Sequence, residues 1–494
     1  MDIEVNWLDH VNARIICDQS IAYEIYEQFS FMVPGAKHQP LVKAGRWDGR
    51  IRLFNFKARS FPVGLLPKLA HWATVNGYTI QINDKALFRG PQIFDPEKLE
   101  RILDVSKYPP LSHQLAAVNI ALTKSKGLIL SPTASGKSYM IYLIVRYLLD
   151  NTDDNILITV PNTSLVEQLY ANFQEYCLDD WPVEELVSRN YGARHESMDA
   201  RVLITTWQSV FKKDSSFFSR YNTFLCDEAH SANQKSISSI INNLTHAERR
   251  IGFTGTLNGT MMHELEMQAR FGSLNKIVTT SELMSAGVVS KIQITAISLK
   301  YPESDCKLNR SCDYQQEVDF LVGSADRNHL LAKIAIESKK NILLLFNYVE
   351  KHGDVLKRLL EPLCEKHGKK LFYIHGGVST AEREEIRHAL EESDNCILLA
   401  SFGTTSTGID VRNLHRVLFC HPYKSPIRVL QSIGRGLRLS EGKEYLELID
   451  IGDDLTYTSR SNKKKPNVVF GHFIQRLEIY RNEKFKYKII QLEV

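Results

Sequence analysis

The sequence lacks the features that mark membrane, secreted and disulfide-stabilised proteins. No stretch approaches the roughly 18 uncharged apolar residues of a membrane-spanning helix, and the best candidate, residues 141–149, is interrupted by Arg146. Residues 1–4 lack the basic start and the following apolar core of a signal peptide. The eight cysteines form no CxxC pair, and only Cys306 and Cys312 lie as close as six positions apart. Neither a disulfide framework nor a zinc site is therefore expected. The cysteines instead suit the reducing environment of the cytoplasm.

The sequence also has little excess of either charge. It contains 61 Lys and Arg against 57 Asp and Glu, a net charge of +4 over 494 residues. The apolar content of 43% and the charged content of 24% are ordinary for globular proteins, which excludes disorder, collagen and coiled coil for the whole chain. Any affinity for nucleic acid must therefore come from local clusters of basic residues.

Strand-like and helical patterns alternate through the middle of the chain. Helical patterns such as 138–149 and 163–175 lie between most of the strand-like runs. Because this alternation is typical of parallel sheets covered on both faces, the sequence predicts an α/β fold with two such domains in tandem. The predicted strands are residues 127–130, 155–160, 201–205, 223–226 and 250–253 in the first series, and 341–346, 370–374, 396–399, 416–420 and 446–450 in the second.

The remaining segments predict two flanking units. Residues 1–100 have short strands, Pro/Gly turns and a helical pattern at 21–29, and predict a small α+β accessory domain that binds nucleic acid. We expect the first parallel-sheet domain at 101–286 and the second at 287–457, with the hinge near Gly287. Residues 458–494 predict a basic C-terminal extension with one short helix.

A phosphate-binding loop is predicted after the strand at 127–130. The loop opens a helix, and its backbone N–H groups and the helix N-terminus suit phosphate oxygens. Lys137 would reach the β- and γ-phosphates, and the Ser138 hydroxyl would ligate Mg²⁺. Without the other motifs, the same residues could equally be an ordinary Ser/Gly turn that caps a helix. Its residues are Ser131, Pro132, Thr133, Ala134, Ser135, Gly136, Lys137 and Ser138.

An acidic segment and a pair of arginines support the same chemistry. Asp227 and Glu228 follow the strand at 223–226, where carboxylates of an α/β sheet face a ligand crevice. Asp227 would hold Mg²⁺, and Glu228 would orient or deprotonate water. Arg435 and Arg438, three positions apart, suit the charge of a transferring phosphoryl group, whereas a basic helix end is the simpler alternative for them.

These motifs, in this order, resemble those of the superfamily 2 helicases over residues 105–455. The resemblance implies two RecA-like domains, ATP and Mg²⁺ as cofactors, and movement along nucleic acid. Ala134 departs from the family's usual glycine and Ser138 from its commoner threonine, and residues 254–256 read Thr-Gly-Thr where the family has Ser-Ala-Thr. The resemblance implies that Gln114 contacts adenine, that Asp410 approaches the ribose and that Gly408 also contacts the nucleotide. The implied nucleic-acid contacts are Pro161, Asn162, Thr206 and Thr405.

Residues 45–53 and 482–485 resemble the helicases of T-even bacteriophages within that superfamily. This resemblance extends to nearly the whole chain. It implies branch migration of DNA junctions, regression of stalled forks and unwinding of RNA–DNA hybrids in R-loops, in recombination, replication and repair. The implied partners are branched DNA, single-stranded DNA and RNA–DNA hybrids, in the cytoplasm of a bacterial host.

A basic segment in the N-terminal domain is the candidate for contact with those substrates. Residues 37–59 contain seven basic residues and one acidic residue, with aromatic residues among them. The basic side chains suit contact with nucleic-acid phosphates, and the aromatic ones suit stacking on bases at a junction. The alternative is a basic strand exposed to solvent, with its aromatic side chains in the domain core. The tail from residue 460 has nine basic and three acidic residues, which also suits a solubilising linker. The candidate contacts are Arg46, Trp47, Arg50 and Arg52.

Two other functions remain open at the level of the sequence. An RNA helicase would share the motor motifs, because these read the sugar–phosphate backbone and discriminate poorly between RNA and DNA. A strand-annealing or junction-binding protein with a vestigial ATPase is favoured only by Ala134 and by Ser131, which replaces the first glycine of the usual phosphate loop. The intact residues of the motor motifs argue against it, namely Lys137, Asp227, Glu228, Arg435 and Arg438.

Overall fold

A computed structural model describes most of the chain. It covers residues 1–33, 35–85, 88, 94–192, 194–196, 199–231, 234–255, 257, 261–405, 413–423, 443–458 and 464–494. The chain divides into two compact units, the first comprising residues 1–131 and 135–278 and the second residues 279–494 together with 132–134. This division lies eight residues before the predicted boundary at 286. Within the described ranges no helix is both long and apolar enough to cross a membrane.

The first unit contains an eight-stranded sheet whose strands are parallel apart from one short hairpin strand at its edge. Apolar side chains of its helices cover both faces, since two separate hydrophobic clusters flank the central strands. The strands in spatial order are Arg194–His195, Val187–Tyr191, Val202–Thr206, Ile156–Val160, Thr223–Cys226, Arg249–Thr254, Lys126–Leu130 and Leu274–Lys276. The helices are Ser112–Thr123, Lys137–Asn151, Thr163–Tyr176, Val183–Leu186, Trp207–Val210, Ser215–Phe218, Gln234–Asn243 and Met261–Phe271.

The N-terminal domain lies in the same unit and has its own core. A mixed four-stranded sheet in the order Ser60–Pro62, Asn12–Cys17, Ile3–Trp7, Ile80–Ile82 packs on the helices Gln19–Gln28 and Leu66–Val75. A separate hairpin pairs Ser30–Met32 with Arg50–Arg52. Gly64 fixes the junction with the first parallel-sheet domain, because a Cβ there would lie 2.2 Å from the backbone oxygen of Gln268. Short helices at Ala36–His38, Pro40–Lys43 and Val63–Leu65 and the helix Pro96–Asp104 complete this part.

The second unit contains a seven-stranded parallel sheet, so the predicted α/β fold with two tandem RecA-like domains is confirmed. Its strands in spatial order are Lys370–Ile374, Cys396–Ser401, Ile342–Phe346, Arg416–Phe419, Tyr445–Asp454, Lys291–Lys300 and Lys486–Glu493. Its helices are Thr280–Ser285, Glu303–Leu308, Tyr314–Gly323, Ala325–Ile336, Val349–Gly353 (a π-helix), Asp354–His367, Thr380–Glu391, Phe402–Thr405 and Val468–Asn482, and a small hairpin pairs Tyr457–Thr458 with Lys464–Lys465.

The C-terminal segment is part of this second sheet. Besides the expected helix, here Val468–Asn482, it contributes the strand Lys486–Glu493, which pairs in parallel with Lys291–Lys300. A buried ion pair fastens the helix, since the Arg476 guanidinium donates to both oxygens of Asp450 at 2.8 Å. Tyr480 donates a further hydrogen bond of 2.7 Å to the same carboxylate. With its charge and hydrogen bonds satisfied, Asp450 can remain fully buried.

Buried basic side chains lie where the N-terminal domain meets the first parallel sheet. Lys126 and Arg250 are in register on neighbouring strands and are 9% and 0% exposed. His10 of the N-terminal domain donates its backbone N–H to the Thr245 carbonyl, 3.3 Å away. Burial, reinforced by the Arg250 charge, lowers the pKa of Lys126 to about 7. Burial, reinforced by the charge of Lys126, lowers the pKa of His10 to about 4.

The lowered pKa of Lys126 predicts a stability that rises with pH. The unfolded chain holds this proton up to about pH 10.5, whereas the folded chain releases it near pH 7. The free energy of unfolding therefore increases between these values, by at most about 1.4 kcal/mol per pH unit. Urea unfolding at pH 7, 8 and 9 should show a smaller increase in Lys126→Met than in the wild type. The exposed neighbour Lys124 provides the control, Lys124→Met, and an undiminished increase in Lys126→Met would contradict the prediction.

Candidate active site

The parallel strands of the first sheet bring the predicted motifs to one edge. The strands ending at Leu130, Cys226 and Thr254 are neighbours, with the Thr254 strand in the middle. Because parallel strands present their carboxyl ends on the same side, the phosphate loop, the acidic segment and the Thr-Gly-Thr segment begin next to one another. Backbone hydrogen bonds lock this arrangement, since Ser131 donates to the Thr254 carbonyl and Asp227 to the Thr159 carbonyl, each at 2.9 Å.

The phosphate loop has the backbone conformation of an anion cradle. Gly136 has φ +84° and immediately precedes the 15-residue helix Lys137–Asn151. A Cβ at Gly136 would lie 2.2 Å from Gln114 Nε2, so only glycine fits. Ala134 also has a positive φ, +66°, which explains why related loops use glycine there and why alanine carries some strain. A side-chain hydrogen bond of 2.6 Å from Ser131 to Ser135 closes the loop.

Gln114 and His113 hold the loop from the preceding helix. The Gln114 carboxamide donates to the Ser135 carbonyl at 3.0 Å and accepts the Leu111 N–H at 2.8 Å. His113 Nε2 lies 2.9 Å from the same Ser135 carbonyl. Gln114 is 7% exposed and therefore acts here as a brace for the loop. Its predicted contact with adenine stays a prediction, and the role of His113 was not foreseen from the sequence.

The acidic segment faces the loop lysine. Lys137 Nζ lies 3.1 Å from Glu228 Oε1, with both side chains largely shielded from water. Asp227 accepts the Glu228 backbone N–H at 2.9 Å. Burial and the adjacent Glu228 charge raise the pKa of Asp227 above its usual range, while Lys137 opposes that rise. Glu228 has φ +46°, a left-handed conformation at the turn that follows the strand.

His230 connects the acidic segment to the Thr-Gly-Thr segment. Its Nδ1 lies 2.7 Å from the Thr254 hydroxyl and 3.3 Å from Glu228 Oε2. Burial lowers the pKa of His230, which favours the neutral form of its ring. A neutral imidazole makes directional hydrogen bonds without adding charge beside Lys137. Thr254 thus contacts both the phosphate loop, through its carbonyl, and His230, through its hydroxyl.

The donor set at this edge fits a magnesium nucleotide. Within the described ranges no cluster of three or more His, Cys, Asp or Glu side chains could hold a metal ion alone. Mg²⁺ is commonly held by one or two protein oxygens together with nucleotide phosphates. The Ser138 hydroxyl and the Asp227 carboxylate are oxygen donors of this kind, and Lys137 with the helix N-terminus suits the phosphates.

Two of the predicted nucleic-acid segments also lie side by side. The strands ending at Val160 and Thr206 are paired in register, so Pro161 and Asn162 follow one strand and Gln208 follows the other. Gln208 Nε2 donates to the Pro161 carbonyl at 3.0 Å. Asn162 caps the next helix by accepting the Leu165 N–H, and the Thr206 hydroxyl lies 2.9 Å from that of Ser209.

The N-terminal basic segment is only partly available for a ligand. Arg52 pairs with Glu27 at 2.9 Å and Asp48 at 2.6 Å and lies over the Tyr26 ring, so these neighbours already neutralise it. Arg50 donates to the Ser30 hydroxyl and Trp47 to the Arg50 carbonyl, each at 2.9 Å. Arg46 is exposed. Phe54 belongs to the domain core, as the alternative interpretation of this segment supposed.

Several predicted site residues lie outside the described part of the chain. They are Arg435 and Arg438, Gly408 and Asp410, and Thr256 of the Thr-Gly-Thr segment. Thr405 ends the helix Phe402–Thr405, and its side chain is not described. The roles inferred for these residues stay predictions.

Comparison with known proteins finds three family models along the chain. "DNA helicase UvsW, N-terminal" matches residues 2–83, "Type III restriction enzyme, res subunit" residues 107–259, and "Helicase conserved C-terminal domain" residues 326–440. The ATP-dependent DNA helicase uvsW of Enterobacteria phage T4 is 34% identical over 504 residues, 99% of each chain. The crystal structure of T4 UvsW aligns over 100% of both chains with 31% identity and a TM-score of 0.53.

A more distant match shows the fold alone. The structure of S. cerevisiae Dbp5 bound to RNA and ADP BeF3 is 14% identical, with a TM-score of 0.53 over 81% of this chain and 94% of that one. The architecture of the two parallel-sheet domains is therefore shared with a protein that binds RNA, and the fold by itself does not select the nucleic acid.

Replacing the loop lysine should stop ATP hydrolysis. Lys137→Ala removes the cation that faces Glu228 and suits the phosphates, and we expect turnover to fall at least about 100-fold, a typical cost of losing one preorganised charge at a reacting group. Some DNA binding should remain, because its predicted contacts lie elsewhere. Ala134→Gly in the same loop is the control and should keep turnover, since it only relieves a positive φ. Full turnover in Lys137→Ala, measured by phosphate release, would refute the site assignment.

Proposed function

The chain belongs to the family of the ATP-dependent DNA helicase UvsW, within the superfamily 2 helicases, and on this basis we propose that it remodels branched nucleic acids. The proposed substrates are DNA junctions, stalled forks and the RNA–DNA hybrids of R-loops, and the proposed process is recombination-dependent replication and repair. The family resemblance inferred from the motifs is confirmed, and so is the ATP-dependent helicase activity that it implies.

The observation that carries the proposal is the extent of the likeness. Identity of 34% covers 99% of both chains, and a separate family model matches residues 2–83. The relationship therefore includes the N-terminal domain as well as the motor motifs that many helicases share. This supports a DNA substrate over the RNA substrate of a general superfamily 2 motor.

In the proposed hydrolytic cycle, the phosphates of ATP attract Lys137 away from Glu228. Glu228 is then free to accept a proton from the attacking water, which His230 helps to orient through Glu228. Mg²⁺ supplies positive charge to the phosphates when it is bound, with Ser138 and Asp227 as its protein donors. Arg435 and Arg438 are the proposed stabilisers of charge on the transferring phosphoryl group. Thr254 and His230 form the proposed route by which a change at the phosphates reaches the β-strand Arg249–Thr254.

We expect strand separation to depend on branching. ATP-dependent unwinding should be compared on a four-way DNA junction, an R-loop and a linear duplex with a single-stranded tail, with Lys137→Ala as the control. Activity on the first two substrates should exceed activity on the third and should be lost in the control. Unwinding confined to RNA duplexes would favour the RNA helicase, and ATP-independent annealing without unwinding would favour a binding protein with a vestigial motor.

The N-terminal domain is the proposed element that directs the motor to junctions. Since Glu27 and Asp48 already pair with Arg52, the exposed Lys43 and Arg46 are the better candidates for contact with phosphates. The double variant Lys43→Glu/Arg46→Glu should weaken junction binding several-fold, and more at low salt than at high salt.

The matched control for this double variant is Lys68→Glu, which reverses an exposed charge on a helix of the same domain. ATPase activity stimulated by single-stranded DNA should change little in either variant, because the proposed contact lies outside the motor domains. Equal losses of junction binding in the double variant and the control, or no loss in either, would contradict this role.

A further inference from the structure

Two neighbouring strands of the first sheet begin with basic side chains that point into the protein. Lys126 and Arg250 are in register at the amino ends of these strands. Side chains two positions apart on a strand share a face, so both basic side chains lie on the face that carries Leu128. Leu128 belongs to the same apolar cluster as Val11 of the N-terminal domain. The two cations are therefore enclosed where that domain covers the sheet.

The guanidinium of Arg250 has no acceptor within the described ranges. Arg250 is fully buried, and its Nε, Nη1 and Nη2 atoms have no hydrogen-bond partner among the described residues. The preceding arginine is different, since Arg249 donates to the Ala121 carbonyl at 3.0 Å and lies 3.3 Å from a carboxylate oxygen of Asp154. Because an unpaired buried charge is costly, Arg250 indicates an acceptor other than these residues.

Two further basic groups lie beside this guanidinium. The Lys126 ammonium makes a long hydrogen bond of 3.5 Å to the Ser125 hydroxyl. The Nδ1 atom of His10, on the N-terminal domain, is buried and has no partner in the described part of the chain. Burial lowers the pKa of His10, and the charges of Lys126, Arg250 and His246 lower it further. The His10 ring is therefore close enough to both buried cations to sense their charge.

The nearby carboxylates do not complete this group. Burial lowers the pKa of Lys126, and the strongest effect of any charge on it is that of Arg250, ahead of the opposing effects of Glu248 and Asp9. One oxygen of Asp9 already accepts two backbone N–H groups of its own loop, at 2.6 and 2.7 Å. Glu248 is partly exposed to water. Arg250 and Lys126 therefore remain without a bonded anion among the described residues.

We propose that Arg250, Lys126 and His10 form a binding site, here called the junction site, for one small tetrahedral oxyanion such as sulfate or phosphate. The planar guanidinium can donate two parallel hydrogen bonds to such an ion, and the ammonium adds a compact charge. A neutral imidazole can donate from Nδ1. Because Arg250 is fully buried, the ligand is a free ion and not the phosphate backbone of a nucleic acid.

An ion in the junction site would connect the N-terminal domain to the sheet. His10 belongs to that domain, whereas Lys126 and Arg250 belong to two strands of the sheet. The site lies at the amino ends of these strands, opposite the carboxyl ends that lead to the phosphate loop and Thr254. The inference therefore does not depend on the proposed function, since it involves neither nucleotide nor nucleic acid.

The first test is the thermal unfolding midpoint of the full chain during titration with sodium sulfate. The titration is made at pH 6.5, where most of Lys126 is protonated, and sodium chloride keeps the ionic strength constant. By about 50 mM sulfate the midpoint of the wild type should rise by about 2 °C. Arg250→Met and Lys126→Met should each lose at least about half of this rise, because each removes one of the two cations that bind the ion.

The matched control is Lys124→Met, which removes an exposed lysine two positions before Lys126 and should keep the full rise. Binding of sulfate at the phosphate loop and its exclusion from the protein surface are common to all four proteins, so they cancel in the comparison. An equal rise in the wild type, the control and both junction variants would overturn the proposal.

A second measurement keeps the test decisive if the variants fail to fold. Wild-type crystals soaked in sodium selenate, an anomalously scattering analogue of sulfate, should show a selenium peak at the junction site, with its oxygens about 3 Å from the Arg250 guanidinium. The phosphate loop should also bind selenate and is the internal positive control. Selenate at the loop but not at the junction would overturn the proposal. Selenate at the junction with an undiminished sulfate effect in folded variants would mean an adventitious ion only, and would overturn it as well.

Discussion

The ion pair between Lys137 and Glu228 is the interaction on which the rest of the first unit converges. Its 3.1 Å separation requires three things at once: a loop that turns through positive φ at Ala134 and Gly136, a strand that ends before Asp227, and a sheet order that makes those segments neighbours. Each follows from parallel strands whose carboxyl ends share an edge. In the absence of phosphate the pair neutralises two shielded charges, and a polyanion would compete for the lysine.

Buried charge is handled differently in the second unit and at the boundary between the N-terminal domain and the first parallel sheet. In the second unit, Arg476 with Asp450 and Arg327 with Asp453 form hydrogen-bonded pairs with almost no exposure, and each joins a helix to the strand Tyr445–Asp454. In the first unit, the basic side chains of Lys126, Arg250 and His10 lie near one another where the N-terminal domain meets the sheet. The pKa of each is lowered. The opposite-charge pairs hold elements in one position, because breaking a buried pair leaves an uncompensated charge. The basic residues Lys126, Arg250 and His10, in contrast, make protonation of one another less favourable.

Much of the architecture could be predicted from hydrophobic runs, and the exceptions have physical causes. All ten predicted strands correspond to observed ones within a few residues, because central parallel strands are continuously apolar. The strand Val187–Tyr191 was missed because it is mostly polar, and Lys291–Lys300 was missed because polar residues interrupt its apolar ones. The loop and the acidic segment were recognisable from local residues. The contacts of Thr254, His113 and Arg52 were not, because each depends on a neighbour supplied by another element.

The position of Lys291–Lys300 has a consequence for the order in which the protein can fold during synthesis. This strand emerges from the ribosome about 150 residues before one of its partners, Tyr445–Asp454, and about 190 residues before the other, Lys486–Glu493. Until then both of its edges are unsatisfied, and the contacts that complete it close very long loops. The first sheet, whose strands all precede residue 277, has no such delay. The nascent second unit should therefore be the part that depends most on protection from aggregation while translation continues.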